Sequence, residues 1–233
     1  MKPRGWVLIS VAAGLVGAFV LPLHADEPVR GKLTQEARPT PDEALKRLKE
    51  GNARFVTDGR IVEEPASKKR LQLSQGQQPI AVVLTCADSR VAPEIIFDQG
   101  LGVLFVLRLA GNVGEPAVYA SIEYALAELK SPLIIVVGHT SCGAVSAALK
   151  GKEQPSDNLR QLVGLIHTGG DLPKDPNAAL DAAVRNNVQY QTQLLTKRSK
   201  IIQDFAGSGR IKIVPAVYDL KTGSVRWLDL PMK

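Results

Sequence analysis

Three short apolar runs constrain this chain more than any other feature: residues 80–85 (IAVVLT), 103–109 (VLFVLRL) and 133–137 (LIIVV). A strand with one face in water alternates apolar and polar residues. Runs rich in Val, Ile and Leu that do not alternate suit strands covered on both faces, as in a parallel sheet lying between helices. Helical patterns separate and follow these runs, over residues 42–55, 116–130, 157–167 and 177–205. In the first, Ala44, Leu45, Leu48 and Phe55 share a face, and Gly51 reads as an interruption near its end. The last is long enough to be broken or bent. Residues 211–217 and 224–228, joined through Lys221-Thr222-Gly223, read as a terminal hairpin. This alternation predicts an α/β fold with a central, largely parallel sheet flanked by helices. No repeat or linker divides the chain, and 233 residues with 45% hydrophobic content suffice for a single domain with one sizeable core.

The first 25 residues read as a signal peptide. Lys2 and Arg4 precede an apolar run over residues 6–23, and Ala25 offers a small residue before a cut at Asp26. A periplasmic or secreted protein is expected. The alternative is an uncleaved membrane anchor, because such a run approaches the roughly 20 residues that span a bilayer. Residues 26–41, with Pro28, Pro39 and Pro41, read as an extended lead-in, and residues 42–233 as the domain itself. The formal charge of +6 is scattered apart from Lys68-Lys69-Arg70. That run reads as solvated surface, so no nucleic-acid partner is expected.

Cys86 and Cys142 are the only cysteines. In an oxidising compartment they would be expected to form one disulfide. A second reading competes with it. Cys86 closes the first apolar run, Gly138-His139 closes the third, and Cys142 follows three residues later. Ligands gather where the strands of an open parallel sheet end in loops. One imidazole and two thiolates form a set that zinc favours, and three protein ligands leave a fourth position for water, the pattern of a catalytic site. If strand geometry persists past Cys86, then Cys86, Asp88 and Arg90 point to one side. Asp88 can then accept a hydrogen bond from a water at the metal, and the forked guanidinium of Arg90 can hold Asp88. The alternative for the pair is an ordinary structural ion pair. His167 reads as a surface helix residue rather than a proton shuttle.

Four segments then carry a family likeness. Cys86-Ala87-Asp88-Ser89-Arg90, Arg108-Leu109-Ala110-Gly111-Asn112, Ser121-Ile122-Glu123-Tyr124 and Gly138-His139-Thr140-Ser141-Cys142-Gly143 resemble the motifs of β-class carbonic anhydrases in order and spacing, from about Asp42 to Asp219. The resemblance implies one zinc ion per chain on Cys86, His139 and Cys142, with Asp88 and Arg90 as the catalytic dyad and Asp88 as an occasional fourth ligand. It implies reversible hydration of carbon dioxide to bicarbonate and a proton through a zinc-bound hydroxide. The expected partners are that small-molecule substrate and a second copy of the chain, in a homodimer or higher even oligomer; a membrane enters only if the N-terminal segment stays uncleaved. Gln77 matches a substrate-binding glutamine, and Phe105, Ala110, Tyr124 and Gly143 match the carbon dioxide pocket, part of it across the dimer interface. Ala110 replaces a larger valine, and Val103 replaces a common acidic residue. In some members a tryptophan three residues before the first zinc cysteine helps bind bicarbonate beside the active site and shuts the enzyme down. Here that position is Val83, although Arg108 matches the arginine of that pocket. Hydrolysis of carbon disulfide or carbonyl sulfide, which members of this fold can perform, is the rival activity.

Overall fold

The computed structural model describes residues 37–61, 67–151 and 153–230. The expected signal peptide and most of the lead-in lie outside them. Among the described residues five strands form one sheet: β1 (Ala81–Thr85), β2 (Leu104–Arg108), β3 (Leu133–His139), β4 (Lys212–Tyr218) and β5 (Val225–Trp227). Their order is β2-β1-β3-β4-β5; the first four run parallel, and β5 returns antiparallel to β4. The unbroken apolar runs have the physical cause expected of them. Every residue of β1 and β3 is buried, whereas β2, at the sheet edge, is only half covered.

The pleat sends alternate residues of one run to opposite faces. Val82, Leu84, Ile134 and Val136 join a core with α4 (Pro116–Ala127), α5 (Gly143–Lys150), α7 (Pro176–Arg198) and α8 (Lys200–Gly207). Ala81, Val83, Leu133, Ile135 and Val137 join another with α1 (Pro41–Val56) and α3 (Pro93–Ile96). Each fully buried Leu, Ile or Val contributes about 1.5–3 kcal/mol, so the two layers hold the sheet from both sides. Two further helices, α2 (Ser67–Leu73) and α6 (Asp157–Gly164), have no buried residues, and Lys68, Lys69 and Arg70 are exposed on α2.

Several boundaries differ from the sequence reading, each for a local reason. Helix α1 starts one residue early because Thr40 and Glu43 cap it reciprocally, with Pro41 as its first residue. Gly51 does not interrupt it. A Cβ there would stand 1.8 Å from the Phe97 carbonyl oxygen, so the glycine serves close packing of α1 on the segment after α3. The break expected in the helical pattern over 177–205 is present and falls at Ser199, whose hydroxyl accepts from the Ile202 N–H and donates to Glu123. Helix α4 stops at Ala127, before Lys130 takes a positive φ of 57°. Among the described residues no helix is long and apolar enough to cross a membrane.

Candidate metal centre

β1 and β3 are parallel neighbours with Thr85 level with Val137, and the Thr85 hydroxyl donates to the Val137 carbonyl at 2.8 Å. Cys86 and His139 therefore leave the same end of the sheet side by side. Ser141, at φ 55°, turns the chain back, and Cys142 becomes the N-cap of α5. The sulfurs of Cys86 and Cys142 and a ring nitrogen of His139 all lie within 4.8 Å of one another. The three residues are 4%, 2% and 0% exposed, and both cysteines are free.

The donor set suits a cation. His139 Nδ1 lies 2.9 Å from the Thr140 carbonyl, which assigns the ring hydrogen to that nitrogen. Nε2 then carries a lone pair, is buried, and makes no hydrogen bond. A buried polar atom left unmatched is costly, and a metal ion on Nε2 removes that cost. Metal-bound histidines commonly have their other nitrogen fixed in this way. The Cys86 thiol is pulled well down, first by its hydrogen bond with Cys142 and then by His139 and the backbone N–H groups of Asp88 and Gly111. Cys142 is pushed up, first by Cys86 and then by burial. The contact between the two sulfurs thus favours the charged form of Cys86 and the neutral form of Cys142.

Asp88 borders this cluster, its Oδ2 3.7 Å from His139 Nε2. The way it meets Arg90 corrects the sequence reading. Strand β1 ends at Thr85, so residues 86–90 do not continue as a strand. Instead the chain turns, and Arg90 donates three times to one carboxylate: backbone N–H to Oδ1 at 3.0 Å, Nε to Oδ1 at 2.9 Å and Nη2 to Oδ2 at 2.7 Å. That guanidinium holds the Asp88 carboxyl well below the usual carboxylate range, against a smaller opposing effect of burial. Asp88, the fourth ligand that the family resemblance allows, is turned to Arg90 and lies outside the three-residue cluster. Arg108 holds the same loop from beneath, donating to the carbonyls of Cys86 at 3.1 Å and Asp88 at 2.5 Å.

The residues matched to a substrate pocket fall into three places. Ala110 opens a tight turn (Ala110–Asn112) in which the Gly111 N–H donates to Cys86 Sγ at 3.3 Å, and Gly143 is the exposed first residue of α5, next to Cys142. Phe105 on β2 and Tyr124 on α4 pack together with ring centroids 6.4 Å apart, and Tyr124 is 51% exposed. Gln77 lines a cavity of about 450 Å³ with Gly102 and Leu104. Leu104 is level with Ala81, at the start of β1, whereas Cys86 follows its end. The structure thus leaves Gln77 at the opposite end of the sheet from the cluster. His167 is exposed as expected but stands beyond the end of α6, stacked on Tyr190 at 4.4 Å. A cavity of about 580 Å³ between α4 and α7 contains none of the three cluster residues.

Sequence reasoning did not single out Thr140, Gly111, Asn187 or Gln191. Thr140 orients His139, and the two amides reach the loop beside Cys86 from α7. A polar residue inside a helical pattern gives no sign of facing inward, so no signal marked the amides.

Comparison with known proteins follows the same residues. A family model described as carbonic anhydrase matches residues 81–225. The carbonic anhydrase of Mycolicibacterium smegmatis is 42% identical over 189 residues, covering 79% of this chain and 92% of the relative. Among solved structures, the Coccomyxa β-carbonic anhydrase in complex with acetazolamide matches with a TM-score of 0.64 at 26% identity, over 79% of this chain and 86% of that one. One of two tetrameric β-carbonic anhydrases of Sordaria macrospora matches with a TM-score of 0.61 at 22% identity, over 68% of this chain and 85% of that one, a likeness of fold alone.

Proposed function

This chain belongs to the β-carbonic anhydrase family, and from that membership we propose that it hydrates carbon dioxide reversibly to bicarbonate and a proton, using one zinc ion held by Cys86, His139 and Cys142. The observation that carries this reading is the buried, unmatched Nε2 of His139 beside two free cysteine sulfurs. Zinc in such a site acts as a Lewis acid that makes water nucleophilic near neutral pH. The chain's own residues supply the rest. Thr140 fixes the tautomer that leaves Nε2 free to ligate. Asp88 Oδ2, at the edge of the ligand set, accepts a hydrogen bond from the attacking water and orients it towards carbon dioxide. Arg90 keeps that carboxylate ionised and in one orientation. Arg90 is 56% exposed and Asp88 17%, so the released proton has a short path from the dyad to buffer.

Ala110 and Gly143, beside the cluster, form the near wall of the substrate pocket. Gln77 lies at the far end of its own sheet, so for it to touch substrate it must serve the site of a second copy. The half-covered edge strand β2 and exposed Tyr124 support a homodimer or a higher even oligomer. Lys2, Arg4 and the apolar run before Ala25 support export with cleavage. The test is zinc stoichiometry together with stopped-flow hydration of carbon dioxide. One zinc per chain with activity is expected, and Cys142→Ala is expected to lose both. Full zinc and activity in that variant would overturn the ligand assignment.

A further inference from the structure

Helix α7 buries two amide side chains as deeply as the hydrophobic core: Asn187 is 0% exposed and Gln191 is 1% exposed. Asparagine is a poor residue for a helix interior, and a buried amide is costly unless its donors and acceptors are matched. Both are matched, and their partners converge. Asn187 Nδ2 donates to the Gly111 carbonyl at 2.7 Å, and its Oδ1 accepts from the His167 N–H at 3.1 Å. Gln191 Oε1 accepts from the Gly114 N–H at 2.9 Å, and its Nε2 donates to the Leu165 carbonyl at 2.8 Å. The two amides thus grip both ends of residues 111–114 and brace them against residues 165–167.

That short segment sits against a metal-ligand candidate. Gly111 has a φ of 71°, in the region that favours glycine. A Cβ on it would also meet Ile166 Cδ1 at 2.8 Å. The backbone is therefore confined from two sides, and the Gly111 N–H is aimed at Cys86 Sγ at 3.3 Å. An N–H donor on a thiolate spreads its charge and fixes the direction of the sulfur.

We propose that Asn187 and Gln191 are positioning residues of the metal centre, which hold the Gly111 N–H on the Cys86 sulfur and so set how firmly zinc is kept. The inference rests on the zinc reading of Cys86, His139 and Cys142. Partners one step removed from a metal commonly change its affinity by about 10- to 100-fold. The centre is then supported from α7, more than 40 residues beyond its last ligand in sequence.

The test compares zinc-loaded wild type, Asn187→Ala, Gln191→Met and Leu195→Ala. Leu195 is fully buried on the same helix and forms no hydrogen bond to residues 111–114, so its variant reports loss of helix packing alone. Zinc release to a chelator should speed up about tenfold or more in Asn187→Ala and Gln191→Met. Release from Leu195→Ala should match wild type. After cobalt replaces zinc, the sulfur-to-metal charge-transfer band should shift in the two amide variants and stay in place in Leu195→Ala. Gln191→Met keeps the side-chain length and removes the hydrogen bonds to Gly114, Leu165 and Asn187, so it carries the test if Asn187→Ala does not fold. Wild-type release rates and bands in the folded amide variants would overturn the proposal, as would equal acceleration in Leu195→Ala. Wild type that binds no zinc at all would instead overturn the zinc reading beneath it.

Discussion

Replacing Asp88 with Asn separates chemistry from metal retention. In the native chain one carboxylate accepts three hydrogen bonds from Arg90, at 3.0, 2.9 and 2.7 Å. Asn offers one oxygen, which can keep the two bonds to Oδ1. Its amide then faces Arg90 Nη2, donor against donor, and the charge attraction is gone. The pair is partly solvated, with Arg90 56% exposed, so the loss of stability should be small. None of the three ligands changes, so zinc content should hold at wild-type level. The rate should fall much further, because the variant loses the anionic acceptor beside the metal. Positioned acid–base groups contribute about 10²–10⁴-fold, or about 3–5 kcal/mol of barrier. Stopped-flow hydration gives the rate, atomic emission the zinc and a thermal melt the stability. The native Asp88 pKa is depressed, so the stabilising effect of the pair is complete above the ordinary value of about 4. It is lost as pH falls below that value towards the native one. Wild type should therefore lose more stability than Asp88→Asn on acidification, while the neutral limb of its rate profile does not belong to Asp88. Wild-type turnover in a zinc-replete Asp88→Asn enzyme would refute the assigned role.

Three further outcomes follow from other parts of the molecule. Chelated protein in air should form a Cys86–Cys142 disulfide, since the sulfurs already lie within 4.8 Å, and should regain activity with zinc only after reduction; full recovery without reductant would refute this. Gly51→Ala should destabilise the fold by about 1–3 kcal/mol in a thermal melt, because its Cβ would stand 1.8 Å from the Phe97 carbonyl oxygen, and an unchanged melt would show that α1 can shift. Val83 is wholly buried between β2 and β3 and has no donor, so Arg108 alone should hold bicarbonate poorly. Activity between about pH 6 and 9, which spans the near-neutral value expected for water on zinc, should follow one gradual titration; a steep collapse that added bicarbonate moves to higher pH would contradict this.

The strands were legible because burial on both faces leaves an unmistakable trace in sequence, and residues 80–85 and 133–137 show it without a break. The gathering of Cys86, His139 and Cys142 was legible for a related reason, since parallel neighbouring strands end together. What failed was anything decided by a turn. Asp88 and Arg90 meet because the chain bends back after Thr85, not because a strand continues, and alternation cannot reveal a bend. Helix α5 escaped notice because it begins on Gly143 and is capped by a cysteine, neither of which resembles a usual helix start. The far position of Gln77 follows from β1 itself, which Gln77 precedes and Cys86 follows; the family likeness set the two at one site despite the strand between them. Gly51 was misread because its neighbour in space, Phe97, is remote in sequence.

The carbonyl that orients His139 belongs to Thr140, and Thr140 is itself held by the segment after β4. Its N–H donates to the Tyr218 carbonyl, and its hydroxyl accepts from the Leu220 N–H, both at 3.0 Å. Asn52 clasps the hairpin that follows, through Gly223 and Val225. In order of synthesis, the three ligands are complete by residue 142, while the parts that aim them, at residues 218–220, are made much later. A chain emerging from the ribosome therefore carries every ligand long before it carries a working site. Zinc should leave Cys86 and Cys142 open to alkylation in a nascent chain stalled at residue 175, and protect them once residue 220 has emerged. Protection at the earlier point would show that the ligands orient themselves. Otherwise an early encounter with metal finds only two thiols and an unaimed imidazole, and loading waits for the last strand pair to close.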